Sequence, residues 1–104
     1  MDAQGVNLVI PYQQIRAFCE RNHIRKLALF GSVLRRDFRP DSDVDVLVEF
    51  DPEYVPGFFR FVEMQDELGD LFARNIDLNT PLSLSRHFRQ KVLQTARVVY
   101  ERAG

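Results

Sequence analysis

The chain has one cysteine, Cys19, and no tryptophan. A single thiol cannot close an intrachain disulfide, and no Cys/His spacing suits a zinc site. Five glycines and five prolines in 104 residues are too few for a low-complexity or collagen-like chain. No run approaches the ~20 apolar residues of a membrane span, so no membrane partner is expected. Val6 to Ile10 is too short for the apolar region of a signal peptide, and no basic stretch precedes it. The expected location is the cytoplasm. An excess of either charge is missing as well: 14 Lys and Arg stand against 15 Asp and Glu, a net charge of −1. Binding along a nucleic-acid backbone usually shows as a basic excess, so a long primer or template is not the expected partner.

What is present describes a folded domain. The chain is 45% hydrophobic and 28% charged, close to globular averages and unlike a disordered segment. Its length suits one domain, residues 1–104, able to bury roughly two thirds of the surface of the unfolded chain. Cys19 shares the apolar side of a predicted helix with Ile15 and Phe18 and reads as a small core residue. Arg21, Arg25 and Lys26, and then Arg35, Arg36 and Arg39, are locally basic and read as solvated surface.

The apolar periodicity alternates between helix and strand. Pro11 opens a helix that ends near Asn22 and His23. Arg25 to Phe30 reads as a strand, broken by Gly31-Ser32, with a short helical turn through Val33, Leu34 and Arg35. Arg39 to Ser42 is loop chemistry. Asp43 to Phe50 is the most β-like segment. A loop with Pro56 and Gly57 leads to a helix from Phe58 to about Ala73, followed by a short strand, Asn75 to Asn79. Thr80-Pro81 predicts the start of a last helix carrying Leu82, Leu84, Phe88, Val92 and Leu93. Arg97 to Tyr100 is a final strand. This order predicts an α/β or α+β fold, a small mixed sheet with helices packed on it.

The pattern that carries chemistry is Gly31-Ser32, ten residues, then Asp43-Val44-Asp45. Residues i and i+2 of a strand share a face, so Asp43 and Asp45 stand side by side. Two adjacent carboxylates at the start of a core strand repel each other and resist desolvation. A divalent metal offsets both, and Mg²⁺ prefers carboxylate and phosphate oxygens. Asp77, flanked by Ile76 and Leu78, joins them if its strand is the neighbour. Asp43, Asp45 and Asp77 together can hold two metal ions that stabilise the attacking and leaving oxygens in phosphoryl or nucleotidyl transfer. Glycine lets backbone approach a phosphate, and the Ser32 hydroxyl with N–H groups at a helix start can bond phosphate oxygens. Alternatives remain at this point: Asp43 as a strand-entry cap, Asp77 as an edge residue facing water. His23 and His87 have no partner at metal or triad spacing and read as surface residues. Ser83 and Ser85 read as helix-start residues, not nucleophiles.

The segment FGSVLRRDFRPDSDVDVLV resembles the signature of the DNA polymerase β-like nucleotidyltransferase superfamily, and more narrowly the minimal nucleotidyltransferase (MNT, MntA-like) family. The strand of Asp77, the helix after it and RVVYE extend the resemblance over Arg25 to Glu101. The resemblance implies that Gly31 and Ser32 contact nucleotide phosphate. It implies that Asp43 and Asp45 bind metal and nucleotide, with Asp77 as third carboxylate, able to help activate an acceptor hydroxyl. It also implies Mg²⁺ as cofactor, ATP as donor, and a HEPN-type toxin as partner, neutralised by binding and in some cases by adenylylation of a tyrosine. Arg36 departs from the pattern, where glycine is commoner. The readings are a transferase acting on the toxin, an antitoxin that works by contact alone, and a small-molecule nucleotidyltransferase. Three acids favour the first over the second, and the short chain leaves little to enclose a small substrate.

One aromatic falls outside the expected core. Projecting Phe58 to Phe72 at ~100° per residue puts Phe58, Phe61, Val62, Leu68 and Phe72 on one stripe. Phe59 lies opposite, among Glu63, Asp66 and Asp70, and is a candidate anchor for a protein partner, with Tyr54 and Phe50 extending the patch.

Overall fold

A computed structural model describes residues 8–103. The start of the apolar segment at Val6 lies outside the described residues. Three α-helices and four strands follow the predicted alternation: α1 (Tyr12–Arg21), β1 (Ile24–Phe30), β2 (Val44–Phe50), α2 (Phe58–Phe72), β3 (Ile76–Asn79), α3 (Arg86–Thr95) and β4 (Arg97–Glu101). The strands form one mixed sheet in the order β3-β2-β1-β4. β1 pairs antiparallel with both β2 and β4, and β2 pairs parallel with β3.

The central strands are covered on both faces, which explains their nearly continuous apolar sequence. On one face Leu27 and Leu29 of β1 and Val44, Val46 and Val48 of β2 pack with Ile15, Phe18 and Cys19 of α1 and Met64, Leu68 and Phe72 of α2. The opposite face carries Ala28, Phe30 and Leu47 under Leu84 and Val92. α3 therefore covers only part of this second face.

Several boundaries and faces differ from expectation. Asp43 precedes β2 instead of opening it. The segment after Thr80 is not yet α-helix: Pro81–Ser83 is a single 3-10 turn, and α3 begins at Arg86. The Ser83 hydroxyl closes that turn by accepting from the Thr80 N–H at 3.1 Å and donating to the Thr80 carbonyl at 2.8 Å. Ser85 occupies the N-cap position of α3. Ser85 thus sits at a helix start, as expected, whereas Ser83 ends the 3-10 turn. Phe58 and Val62, expected in the core, are exposed, whereas Met64 is buried. Phe50 packs edge-on against Phe61 at 6.3 Å, so it joins the core margin and does not extend the surface around Phe59. Among the described residues no helix is long and apolar enough to cross a membrane.

Candidate active site

The parallel register of β2 and β3 brings the acids together. Asp45 lies directly across from Asp77, Val44 from Ile76 and Val46 from Leu78. The Val44 N–H donates to the Asn75 carbonyl at 2.8 Å, which fixes that register at the strand entry. Alternation places Asp45 on the face of Leu47, the side that α3 covers only in part. On its other flank Asp45 pairs with Phe30, the last residue of β1. The next residue is Gly31.

Gly31 has φ +75°, a left-handed conformation that a residue with Cβ adopts only at a cost. A Cβ built there would overlap Oδ2 of Asp45. The nearest obstacle to a side chain at this position is thus the Asp45 carboxylate. Gly31–Leu34 then forms a 3-10 turn, and the Ser32 hydroxyl donates a long 3.5 Å bond to the Asp43 carbonyl. The Gly-Ser turn and the Asp-x-Asp segment are thus adjacent in space although ten residues separate them.

The loop between them is held by a residue that the sequence did not single out. The Arg74 guanidinium donates to the carbonyls of Arg39 at 2.6 Å and Ser42 at 2.9 Å. It also lies 4.4 Å over the Phe38 ring. Arg74 lies two residues before β3, so a single side chain ties the approach to Asp43 to the strand of Asp77.

The electrostatics are those of crowded acids. The Asp45 carboxyl is pushed up from 3.8 to about 6, first by burial, then by the charge of Asp77 and a hydrogen bond with it, then by Asp43. Arg35 acts in the opposite direction. Such a group favours a nearby cation or a proton. Among the described residues, no group of three or more His, Cys, Asp or Glu side chains could by itself hold a metal ion, so the Asp43, Asp45 and Asp77 trio expected from the sequence is not a ready-made metal site. The donor set is all oxygen, and Mg²⁺ usually completes its shell with water and substrate phosphates. Asp45 and its neighbours fit that kind of open, shared site.

A cleft of about 690 Å³ opens over Asp43 and Asp45, bounded by Gly31, Ser32 and Arg35 on one side and by Phe88, Lys91 and Thr95 of α3 on the other, and Asp77 is not part of its lining. A larger cleft of about 880 Å³ lies between Pro40–Asp43 and the second half of α2. It reaches Asp43 but neither Gly31 nor Asp45, so the smaller cleft is the chemical one.

The sequence pattern that defines the polymerase beta nucleotidyltransferase family matches residues 13–103. The chain belongs to this family. The protein adenylyltransferase MntA of Thermococcus cleftensis is 37% identical to this nucleotidyltransferase over 81 residues, 78% of each chain. A chain in a crystal structure of a toxin–antitoxin with AMP-PNP superposes with a TM-score of 0.65 at 19% identity, covering 89% of this chain and 75% of that one. A chain from a complex of tri-AMPylated Shewanella oneidensis HEPN toxin with MNT antitoxin superposes with a TM-score of 0.58 at 19% identity, covering 88% and 70%. At such identities the two structures establish the shared fold.

The remaining candidates are placed as follows. His23 is exposed, with its ring stacked on Tyr54 at 3.9 Å, and His87 is exposed on α3. Cys19 is fully buried. Phe59 is 84% exposed and forms a T-shaped pair with the Phe58 ring, centroids 5.8 Å apart. Lys91 and Thr95 were not singled out from the sequence, and Phe88 was expected only as an apolar residue of the last helix, because only the folded position of α3 brings the three over Asp45. Their spacing of three to four residues on one helix face was the available signal.

Proposed function

We propose that this nucleotidyltransferase moves AMP from ATP to a tyrosine hydroxyl of a HEPN-type toxin and so acts as its antitoxin. The observation that carries the reading is the parallel pairing of Asp45 with Asp77 beside the left-handed Gly31 turn. It supports roles for Asp43 and Asp45 in holding Mg²⁺ and nucleotide, and for Gly31 and Ser32 at the donor phosphates. Bound Mg²⁺ would supply positive charge to the donor phosphates. The acceptor oxygen attacks the α-phosphorus, the bond to the β-phosphate oxygen breaks, and pyrophosphate leaves. Asp77, exposed beside Asp45, accepts the hydroxyl proton as general base. Contact alone would not require three crowded acids, whose repulsion disfavours the folded state. Phe59 is the proposed anchor for the partner protein, through a surface separate from the cleft.

The test uses ATP labelled at the α-phosphate, Mg²⁺ and the partner toxin. Label should move to a toxin tyrosine, whereas label at the γ-phosphate should not. Asp77→Asn should lower the transfer rate by orders of magnitude while MgATP affinity stays nearly unchanged, since a base acts in the transition state. No transfer of α-label to the toxin, or full activity in Asp77→Asn, would overturn the respective assignment.

A further inference from the structure

α3 carries Arg86, Arg89 and Lys91 and no acidic residue. It is laid across the sheet face that holds Asp45. Arg89 is committed to the fold: its guanidinium donates to the carbonyls of Pro81 at 2.6 Å and Leu84 at 3.0 Å. Lys91 is not so engaged. It is exposed, it lines the cleft opposite Gly31, Ser32 and Asp45, and its ammonium has no ion pair or hydrogen bond among the described residues. Arg35, the other cation bordering the cleft, is 3.5 Å from Asp37.

We infer that Lys91 is a ligand of the donor nucleotide's phosphates, gripping from α3 what the Gly31-Ser32 turn holds from the sheet. The inference rests on the nucleotidyl-transfer reading and adds a residue to it. A nucleoside triphosphate brings several negative charges into a cleft already bordered by carboxylates. Mg²⁺ near Asp43 and Asp45 can neutralise one side of the phosphate chain. The side turned toward α3 meets Lys91. A lysine is a compact point charge with three donors on a flexible stem, suited to follow phosphates that change position as pyrophosphate departs. Val92, the neighbouring residue, is packed into the core beneath, so the helix under Lys91 is anchored while its side chain is free to extend.

The experiment measures MgATP binding by calorimetry for the wild type, Lys91→Gln and Lys91→Arg, each with its melting temperature. Lys91→Gln should weaken MgATP about tenfold, the scale of one charge-assisted hydrogen bond. It should also flatten the salt dependence of binding and weaken competition by inorganic pyrophosphate, with the melting temperature unchanged. Lys91→Arg should restore most of the affinity. Equal MgATP and pyrophosphate affinity in wild type and Lys91→Gln would overturn the inference while leaving nucleotidyl transfer intact. A folded wild type that binds no MgATP at all would overturn both.

Discussion

Replacing Gly31 with alanine separates stability from chemistry. At φ +75° an added Cβ costs about 1–2 kcal/mol through its clash with the local backbone. For a domain near 100 residues this lowers the melting temperature by roughly 5–10 °C. The second contact is of another kind. The new Cβ would overlap Oδ2 of Asp45 and approach its Cγ to 3.3 Å. Oδ2 is the end of a short side chain, so the fold absorbs the overlap by rotating the carboxylate instead of moving the sheet. That rotation takes Asp45 out of its alignment with Asp77, and a displacement of about 1 Å at a reacting centre can cost on the order of a hundredfold in rate. Urea unfolding, MgATP calorimetry and α-label transfer measured on one preparation give the three numbers. The expected pattern is a modest stability loss with a far larger loss of transfer, and Gly31→Val should be worse on both counts because of its branched Cβ. A Gly31→Ala variant that loses the predicted stability yet transfers AMP at the wild-type rate would show that the turn is structural and that the Asp45 position is not critical.

Asp45→Asn should abolish transfer and MgATP binding while stabilising the protein at neutral pH. Because the folded Asp45 carboxyl titrates near 6 against 3.8 ordinarily, its stabilising contribution is complete below about 3.8 and lost as pH rises through about 6. The Asn variant's advantage should therefore be largest above pH 6, about 1 kcal/mol or less after solvent screening, and vanish toward pH 4; an advantage that grows on acidification would contradict the assignment. Cys19, whose thiol is pushed up to about 12 by burial first and by Glu20 second, should resist alkylation at pH 8 until urea unfolds the chain. Its neutral-thiol contribution is intact below pH 9 and declines as pH climbs toward 12, which unfolding measurements at alkaline pH can read. Phe59→Ala should weaken binding of the toxin by more than about 1 kcal/mol with little change in melting temperature; a lowered melting temperature with unchanged affinity would return Phe59 to the core.

Asp45 was legible as a carboxylate inside an apolar strand, whereas its side-by-side pairing with Asp43 assumed that Asp43 opens β2, which it instead precedes. The third acid was legible only on condition that β3 neighbours β2, a matter of sheet order that local sequence does not encode. The Asn75 carbonyl and the Val44 N–H settle it. Arg74 was not legible, and Lys91 only as one of three residues at helical spacing with Phe88 and Thr95. Each acts across the fold, Arg74 on carbonyls more than thirty residues away and Lys91 from a helix whose start the Thr80-Pro81 signal placed five residues too early. Pro81 did mark a helical start, but the Thr80–Ser83 hydrogen bonds closed it after one turn and left the chain to begin again at Arg86.

α2 shows how a helical stripe can be misread by a modest rotation. Taking Phe58, Phe61, Val62, Leu68 and Phe72 as the core face centres the stripe between Phe58 and Phe72. The buried set, Met64, Leu68 and Phe72 with Phe61 at the margin, is centred roughly 45° away at ~100° per residue. Apolar residues alone could not decide this, because Gln65 does part of the packing face's work: its side-chain oxygen accepts the Leu78 N–H at 2.9 Å, satisfying a strand donor that apolar packing would leave unpaired. The rotation has a consequence for the surface around Phe59. It moves the buried stripe nearly opposite Phe59 and turns Phe58 and Val62 outward beside it, at 75% and 38% exposure against 84% for Phe59 itself. Tyr54 and Val55, just upstream, are exposed as well. A lone exposed ring calls for no explanation, but Phe58, Phe59 and Val62 exposed together on the first turns of one helix are consistent with the proposed anchor at Phe59.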